Sequence, residues 1–183
     1  MGYILMIKVI GRIRSLDLSI LFRWFIIYSI IGWSYETVFT YFMNGVLSKR
    51  GFLLGPLCPI YGVSILIMLL ICSDKGKSMI NLIIKCAFVA TTMEYITSYW
   101  LERLFDRRWW DYSDMFMNVN GRICLGASIL FGVLGAVFVR YIHPGLISLT
   151  NHVSSRLMRI LDRIVLVLFL YDILLSIRMN VIR

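Results

Sequence analysis

The chain reads as all-α: a polytopic membrane protein with about five transmembrane helices. Three observations carry that reading. Of its 183 residues 60% are hydrophobic, and the mean hydropathy is +0.81. Only 16% are charged, well below the quarter or so usual for soluble domains, so a water-facing surface cannot be covered with them. The apolar residues also gather into runs long enough to cross the roughly 30 Å of bilayer hydrocarbon, for which about 20 helical residues suffice. A net charge of +9 would point to nucleic acid in a soluble chain. Here the Lys and Arg stand between apolar runs, where phospholipid head groups meet them, so the expected partner is the lipid bilayer and no nucleic acid.

Residues 1-18 carry Lys8, Arg12 and Arg14 among apolar residues and suit a short interfacial segment on the head groups. The first long run, Leu18 to Met43, is expected to span as a retained helix, with Glu36 in its outer half. Next come Lys49-Arg50-Gly51 and Gly55-Pro56-Leu57-Cys58-Pro59-Ile60-Tyr61-Gly62. Two prolines and two glycines forbid a clean helix start there, so the second span is expected to open on a broken or re-entrant turn and to end near Cys72. Irregular backbone at that depth survives only against protein or a wet cavity. Asp74-Lys75-Gly76-Lys77 reads as a tight polar turn.

The third run, Met79 to Phe105, places Thr91, Glu94, Ser98 and Glu102 at helical spacing, and such a polar stripe must face inward. The fourth span, Ile123 to Ile142, carries Ser128, Gly132 and Ala136 at steps of four, spacing that lets helix backbones approach closely. His143-Pro144-Gly145 is expected to stop it. Residues 146-163, with Arg156, Arg159 and Arg163, read as an interfacial segment, and a fifth run from Ile164 to Ile177 spans if its polar flanks snorkel. The whole is one integral membrane domain, 1-183: the N-terminal segment 1-18, a four-helix core over 19-143, and the interfacial segment plus fifth helix over 144-183. With the N-terminus inside, eleven basic residues flank the cytoplasmic side against eight outside. The positive-inside rule then favours a multi-pass protein of the cell membrane with a cytoplasmic N-terminus.

Between the third and fourth runs lies a knot of charges, amides and indoles, Arg107-Arg108-Trp109-Trp110-Asp111-Tyr112-Ser113-Asp114, continuing to Asn118, Asn120, Gly121 and Arg122. An Asp flanked by indoles and near Arg107, Arg108 and Arg122 points to a desolvated ion-pair network able to order a loop and cap a cavity. The tryptophans alone fit an interfacial aromatic belt equally well. Glu36 and Glu94 are the sharpest single residues, because an ionisable group inside a span is by default a functional-site hypothesis. Their alternative role is interhelical glue, paired with Arg50, Arg108 or Arg122. The expected binding residues are Glu36, Arg50, Glu94, Ser98, Glu102, Arg108, Trp110, Asp111, Tyr112, Asn118 and Arg122. Sliding the chain by 58 positions lays Glu36 on Glu94, Thr40 on Ser98, Tyr41 on Tyr99, Lys49-Arg50 on Arg107-Arg108 and Phe52 on Trp110. That echo predicts a parallel repeat of two helix pairs about an axis along the membrane normal.

Cys58, Cys72, Cys86 and Cys124 lie singly, without a C-x-x-C pair, and read as small buried side chains. His143 and His152 are nine residues apart with no nearby carboxylate, so no metal site is expected, and no cofactor either.

From Gly32 through Leu125 the sequence resembles the bacterial family of CmpB-like, ABC-transporter type IV permeases. The resemblance rests on Gly32-Trp33 with Glu36, on Arg50-Gly51-Phe52 with Gly55-Pro56-Leu57-Cys58-Pro59-Ile60-Tyr61-Gly62, on Glu94-Tyr95 with Ser98 and Glu102, and on Trp109-Trp110-Asp111-Tyr112-Ser113 leading to Asn118 and Gly121-Arg122. The last forty residues contribute little to it. Phe116 departs from the proline expected in the family's loop. The resemblance implies transport: a permease or membrane-embedded binding component for a polar solute or lipid head group.

No G-x-x-x-x-G-K-[ST] motif occurs, so ATP hydrolysis would come from a separate ATPase subunit. Five short helices enclose little volume, so a permease would need that partner or a homo-oligomer. Two other classes stand beside transport. One is an intramembrane enzyme acting on a lipid or lipid-linked phosphate, with Glu36, Glu94 or Asp111 as acid or base; it lacks any G-x-S-x-G, H-E-x-x-H or cysteine-histidine pair. The other is a non-catalytic membrane scaffold whose polar knot only fixes the fold.

Overall fold

The computed structural model describes residues 18–46, 51–72, 78–150 and 155–181, and among them every regular element is helical. In chain order these are α1 (Leu18–Asn44), α2 (Pro59–Ile71), α3 (Met79–Phe105), α4 (Leu125–Val137), a π-helical turn (Phe138–Ile142), α5 (His143–Thr150) and α6 (Ser155–Val181). Among the described residues, three stretches are long and apolar enough to cross a bilayer: Leu18–Met43, Met79–Phe105 and Leu125–Leu149. Their most apolar windows are only 22%, 28% and 22% buried inside the protein, so most of each helix surface turns apolar side chains outward. Phe42, Phe88 and Ile129 are typical of these outward residues. A monomer in water does not carry so much exposed apolar area, and lipid accommodates it.

α2 begins where the prolines allow. Pro59 occupies the first helical turn, where its missing N–H costs nothing, after an extended Cys58. At 13 residues it is about 20 Å long, too short to span alone. The irregular stretch before it is held from two sides. The Cys58 N–H donates to the Ser29 carbonyl at 3.1 Å. From α6, Asp172 accepts the Leu54 N–H at 2.9 Å and the Gly55 N–H at 3.0 Å, and Ser176 Oγ also accepts from Leu54. The expected broken turn therefore survives against protein, as non-helical backbone at membrane depth requires.

α1 and α2 touch backbone to side chain: Gly62 abuts Ser29 and the Phe25 carbonyl, and Gly32 abuts the Tyr61 ring, with no room for a Cβ at either glycine. The spacing read on α4 performs as expected. Thr91 donates to Ser128 Oγ at 2.7 Å, Gly132 lies on Ala87, and Ala136 is fully buried. One core cluster joins α2, α3 and α4 through Met68, Cys72, Leu82, Cys86, Val89, Ala90 and Ala136. A second joins α1, α2 and the π turn through Tyr28, Ile65 and Phe138.

His143-Pro144-Gly145 does not stop the fourth helix, which runs on to Thr150. The π turn is the reason. The His143 N–H reaches back to the Phe138 carbonyl, widening the coil just where Pro144 has no N–H to give and its ring would crowd the preceding turn. The Tyr28 hydroxyl holds His143 Nδ1 at 2.6 Å and fixes the continuation. The fifth apolar run lies within the 27-residue α6, about 40 Å long, so the shortness of the run read from the sequence does not limit the helix. Arg23 pairs with Asp162 in a two-pronged contact at 2.6 and 3.0 Å, fastening α6 to α1. The head-group segment (apart from Leu18), Lys49-Arg50, the Asp74–Lys77 turn and His152 lie outside the described residues.

Candidate functional site

α3 ends at Asp106, whose left-handed φ of 49° and N–H bond to the Glu102 carbonyl close the helix. The loop that follows folds back over the end of α3 and is tied within itself. Asn118 donates to the carbonyls of Ser113 and Met115 and accepts the Gly121 N–H, while the Tyr112 N–H donates to the Gly121 carbonyl at 2.7 Å. Gly121 is obligatory here: its φ is +67°, and a Cβ would sit 2.5 Å from both Asp111 Oδ1 and Ser113 Oγ.

Glu102, on the last turn of α3, joins two arginines. Arg108 Nε donates to its Oε1 at 2.8 Å, and Arg122 grips its Oε2. Arg122 also lies over the rings of Tyr95 and Tyr99, at 5.7 and 5.6 Å from their centroids. Its side chain is 13% exposed against 53% for Asp111, so Arg122 is the inner member of the network and Asp111 the outer. Asp111 accepts from both the hydroxyl and the N–H of Ser113, with Arg108 at 3.7 Å. Those two Ser113 bonds, and then the Arg108 charge, hold its carboxyl below the usual range. Trp110 Nε1 donates to the Arg122 carbonyl at 2.9 Å, and Asn120 donates to the Tyr95 hydroxyl at 2.9 Å. Phe52 packs on Phe105 and Trp109, joining the stretch before α2 to this lid.

Beneath the lid, the Tyr112 hydroxyl donates to Glu94 Oε1 at 3.2 Å. Burial, then the charge of Glu94, keeps the Tyr112 phenol well above its ordinary pKa, so it remains a donor. The second carboxylate oxygen, Glu94 Oε2, is buried with no partner among the described residues. Glu36 receives the Cys58 thiol at 3.7 Å. Tyr61 lies within electrostatic range of Glu36, Glu94, Cys58 and Tyr112 together, and Glu94 lies within range of Glu36. Both carboxylates, on separate helices, thus stand within electrostatic range of Tyr61. Ser98 is buried one turn beyond Glu94 on the same face.

Ten of the eleven expected binding residues are therefore described, and they form two layers. Glu102, Arg108, Trp110, Asp111, Asn118 and Arg122 make the lid. Glu36, Glu94, Ser98 and Tyr112 lie below it. Arg50 falls outside the described residues. A groove of about 510 Å³ runs along α3 and α4 between Ala87, Phe88, Thr91, Thr92, Tyr95, Ile96, Ile123 and Ser128. None of the glutamates lines it, and Thr91 and Thr92 spend their hydroxyl protons on Ser128 and the Phe88 carbonyl, so its walls are apolar. Sequence reasoning missed Asp162, Asp172 and Ser176 as organising residues. The signal was present for Asp172, a carboxylate inside an apolar run like Glu36 and Glu94.

An all-helical bundle whose described residues include three bilayer-length apolar helices fits a membrane protein. Comparison with family models gives a match over residues 23–177 to the family described as Putative ABC-transporter type IV. The chain belongs to that family, and the match runs well past Leu125 into α6, beyond the stretch that carries the resemblance in sequence. No curated protein and no solved structure matches it significantly.

Proposed function

We propose that the chain is the membrane-embedded permease or binding component of an ABC-type transporter, working with a separate ATPase subunit or as a homo-oligomer in the cell membrane. In this reading it crosses the membrane about five times, with a cytoplasmic N-terminus. Its ligand is a polar solute or lipid head group that presents N–H or O–H donors to Glu94 and Glu36. The observation that carries this is the buried Glu94 Oε2, which has no partner among the described residues while Oε1 is taken by Tyr112. A buried carboxylate oxygen left unbonded is costly, and a ligand donor would satisfy it. The lid residues already bond one another, which suits them to ordering the cover, with Tyr112 as the group a ligand would displace. Family membership and the apolar helices support the transport class over the lipid-enzyme and scaffold readings.

The test is to purify the chain in nanodiscs, wash it exhaustively, and identify by native mass spectrometry what stays bound. The wild type should retain a polar solute or phospholipid, and Glu94→Gln should lose it at normal membrane yield. Loss of yield without any retained ligand in the wild type would instead make Glu94 structural glue.

A further inference from the structure

The junction of α2, α3 and α4 holds sulfur that the carboxylate site does not use. Met68 and Cys72 stand four residues apart at the end of α2, so one helical turn puts both on the same face, and the Cys72 N–H donates to the Met68 carbonyl at 2.7 Å. Cys86, two turns into α3, lies in the same buried cluster, within electrostatic range of the Cys72 thiol. Met68 Sδ and Cys86 Cβ both crowd the bare face of Gly135 on α4, where a methyl group would meet them at 2.8 and 3.1 Å. Met68, Cys72 and Cys86 are 3%, 6% and 0% exposed, so the cluster is dry. Met79 and Met93, seven residues to either side of Cys86, pack against it. No group of three or more His, Cys, Asp or Glu side chains is placed to hold a metal among the described residues. The donors gathered here are two thiols and a thioether, all soft.

We propose that Met68, Cys72 and Cys86 form a site for a soft monovalent ion, Cu(I) or its analogue Ag(I), bound by two thiolates and one thioether. Thiolate and thioether donors disfavour calcium and magnesium, and two thiolates with one thioether fall short of the four-ligand tetrahedral set that structural zinc takes. Each ion bound displaces the two thiol protons and forms three sulfur–metal bonds, two from the thiolates and one from the thioether, with no change of oxidation state at metal or sulfur. The resulting complex carries one negative charge. Lys85, next to Cys86 in the chain and within electrostatic range of its sulfur, offsets that charge. The inference does not rest on the transporter reading, because none of its ligands belongs to the carboxylate site.

The experiment titrates the reduced full chain in nanodiscs with Cu(I) against a competing chelator. The expected result is one Cu(I) per chain, two protons released per ion, and an all-sulfur shell by X-ray absorption. The double variant Cys72→Ser with Cys86→Ser should lose the ion. Met68→Leu should weaken binding by at least the roughly 10-fold seen when a metal site loses a supporting contact, and Cys124→Ser should leave it unchanged. Should the double variant fail to fold, the sulfur shell and proton count of the wild type decide. No binding by the wild type, nitrogen or oxygen in the shell, wild-type affinity in the double variant, or a Cys72–Cys86 disulfide in the isolated protein would each overturn the assignment.

Discussion

Asp172→Ala removes a carboxylate that holds the irregular backbone ahead of α2. Its two oxygens accept the Leu54 and Gly55 N–H groups at 2.9 and 3.0 Å. In the variant Leu54 keeps Ser176 Oγ, 3.0 Å away, while the Gly55 N–H is left without its acceptor. A hydrogen bond to a charged group contributes about 1.5–3 kcal/mol, and orphaning a buried donor costs about 1–3 kcal/mol. With one of the two donors rescued, the loss comes to about 3 kcal/mol. Asp172→Asn keeps a carbonyl acceptor at neutral strength and should lose about half as much, about 1.5 kcal/mol. Reversible unfolding in mixed detergent micelles measures the difference, and hydrogen exchange locates it: protection should fall in residues 51–58 before it falls in α1 or α3. An alanine variant within about 0.5 kcal/mol of wild type, or exchange that rises uniformly along the chain, would refute the anchoring role.

Three further outcomes follow from the geometry. Gly121→Ala should loosen the lid, because a left-handed φ on a residue bearing a Cβ costs about 1–3 kcal/mol; faster hydrogen exchange over residues 107–123 and altered Trp109 and Trp110 fluorescence would register it. Gly132→Val should push α3 and α4 apart, since a Cβ there meets Ala87 Cβ at 2.7 Å and the Ile83 carbonyl at 3.0 Å, with a loss of about 1–3 kcal/mol in thermal unfolding. Asp111 has a folded pKa below its unfolded value of about 3.9, so its contribution to lid order is complete above that value and is lost as pH falls through the folded one. Lid protection, corrected for the intrinsic exchange rate at each pH, should therefore be flat from pH 8 to about 5 and fall toward pH 3; Asp111→Asn should lessen the fall, the Glu102 carboxylate held by Arg108 and Arg122 accounting for the rest.

Much of this was legible in the sequence because membrane chains advertise their helices. The third run was bounded at Met79 and Phe105, and α3 has those bounds. Glu94 and Ser98 are buried on the face where their spacing places them; of the charges between the third and fourth runs, Arg108, Asp111 and Arg122 join Glu102, while Arg107 lies over the Trp109 ring. What was not legible depended on partners distant in the chain. The His-Pro-Gly stop signal is local, and it lost to a π turn fixed by Tyr28, 115 residues away. Asp172 serves a backbone 117 and 118 residues earlier, which no local pattern announces. The 58-position echo aligns Glu36 with Glu94; of their described bonds, Cys58 to Glu36 and Tyr112 to Glu94, the shift lays Cys58 on Phe116 and Tyr112 on Leu54.

The most direct measurement of the central claim is a cryo-electron microscopy map of the protein isolated in native lipid. The account predicts density for a bound polar group within hydrogen-bonding distance of Glu94 Oε2 and near Glu36, beneath Tyr112. A map in which an arginine of the chain itself takes that oxygen, or in which apolar side chains seal the two carboxylates apart, would contradict it.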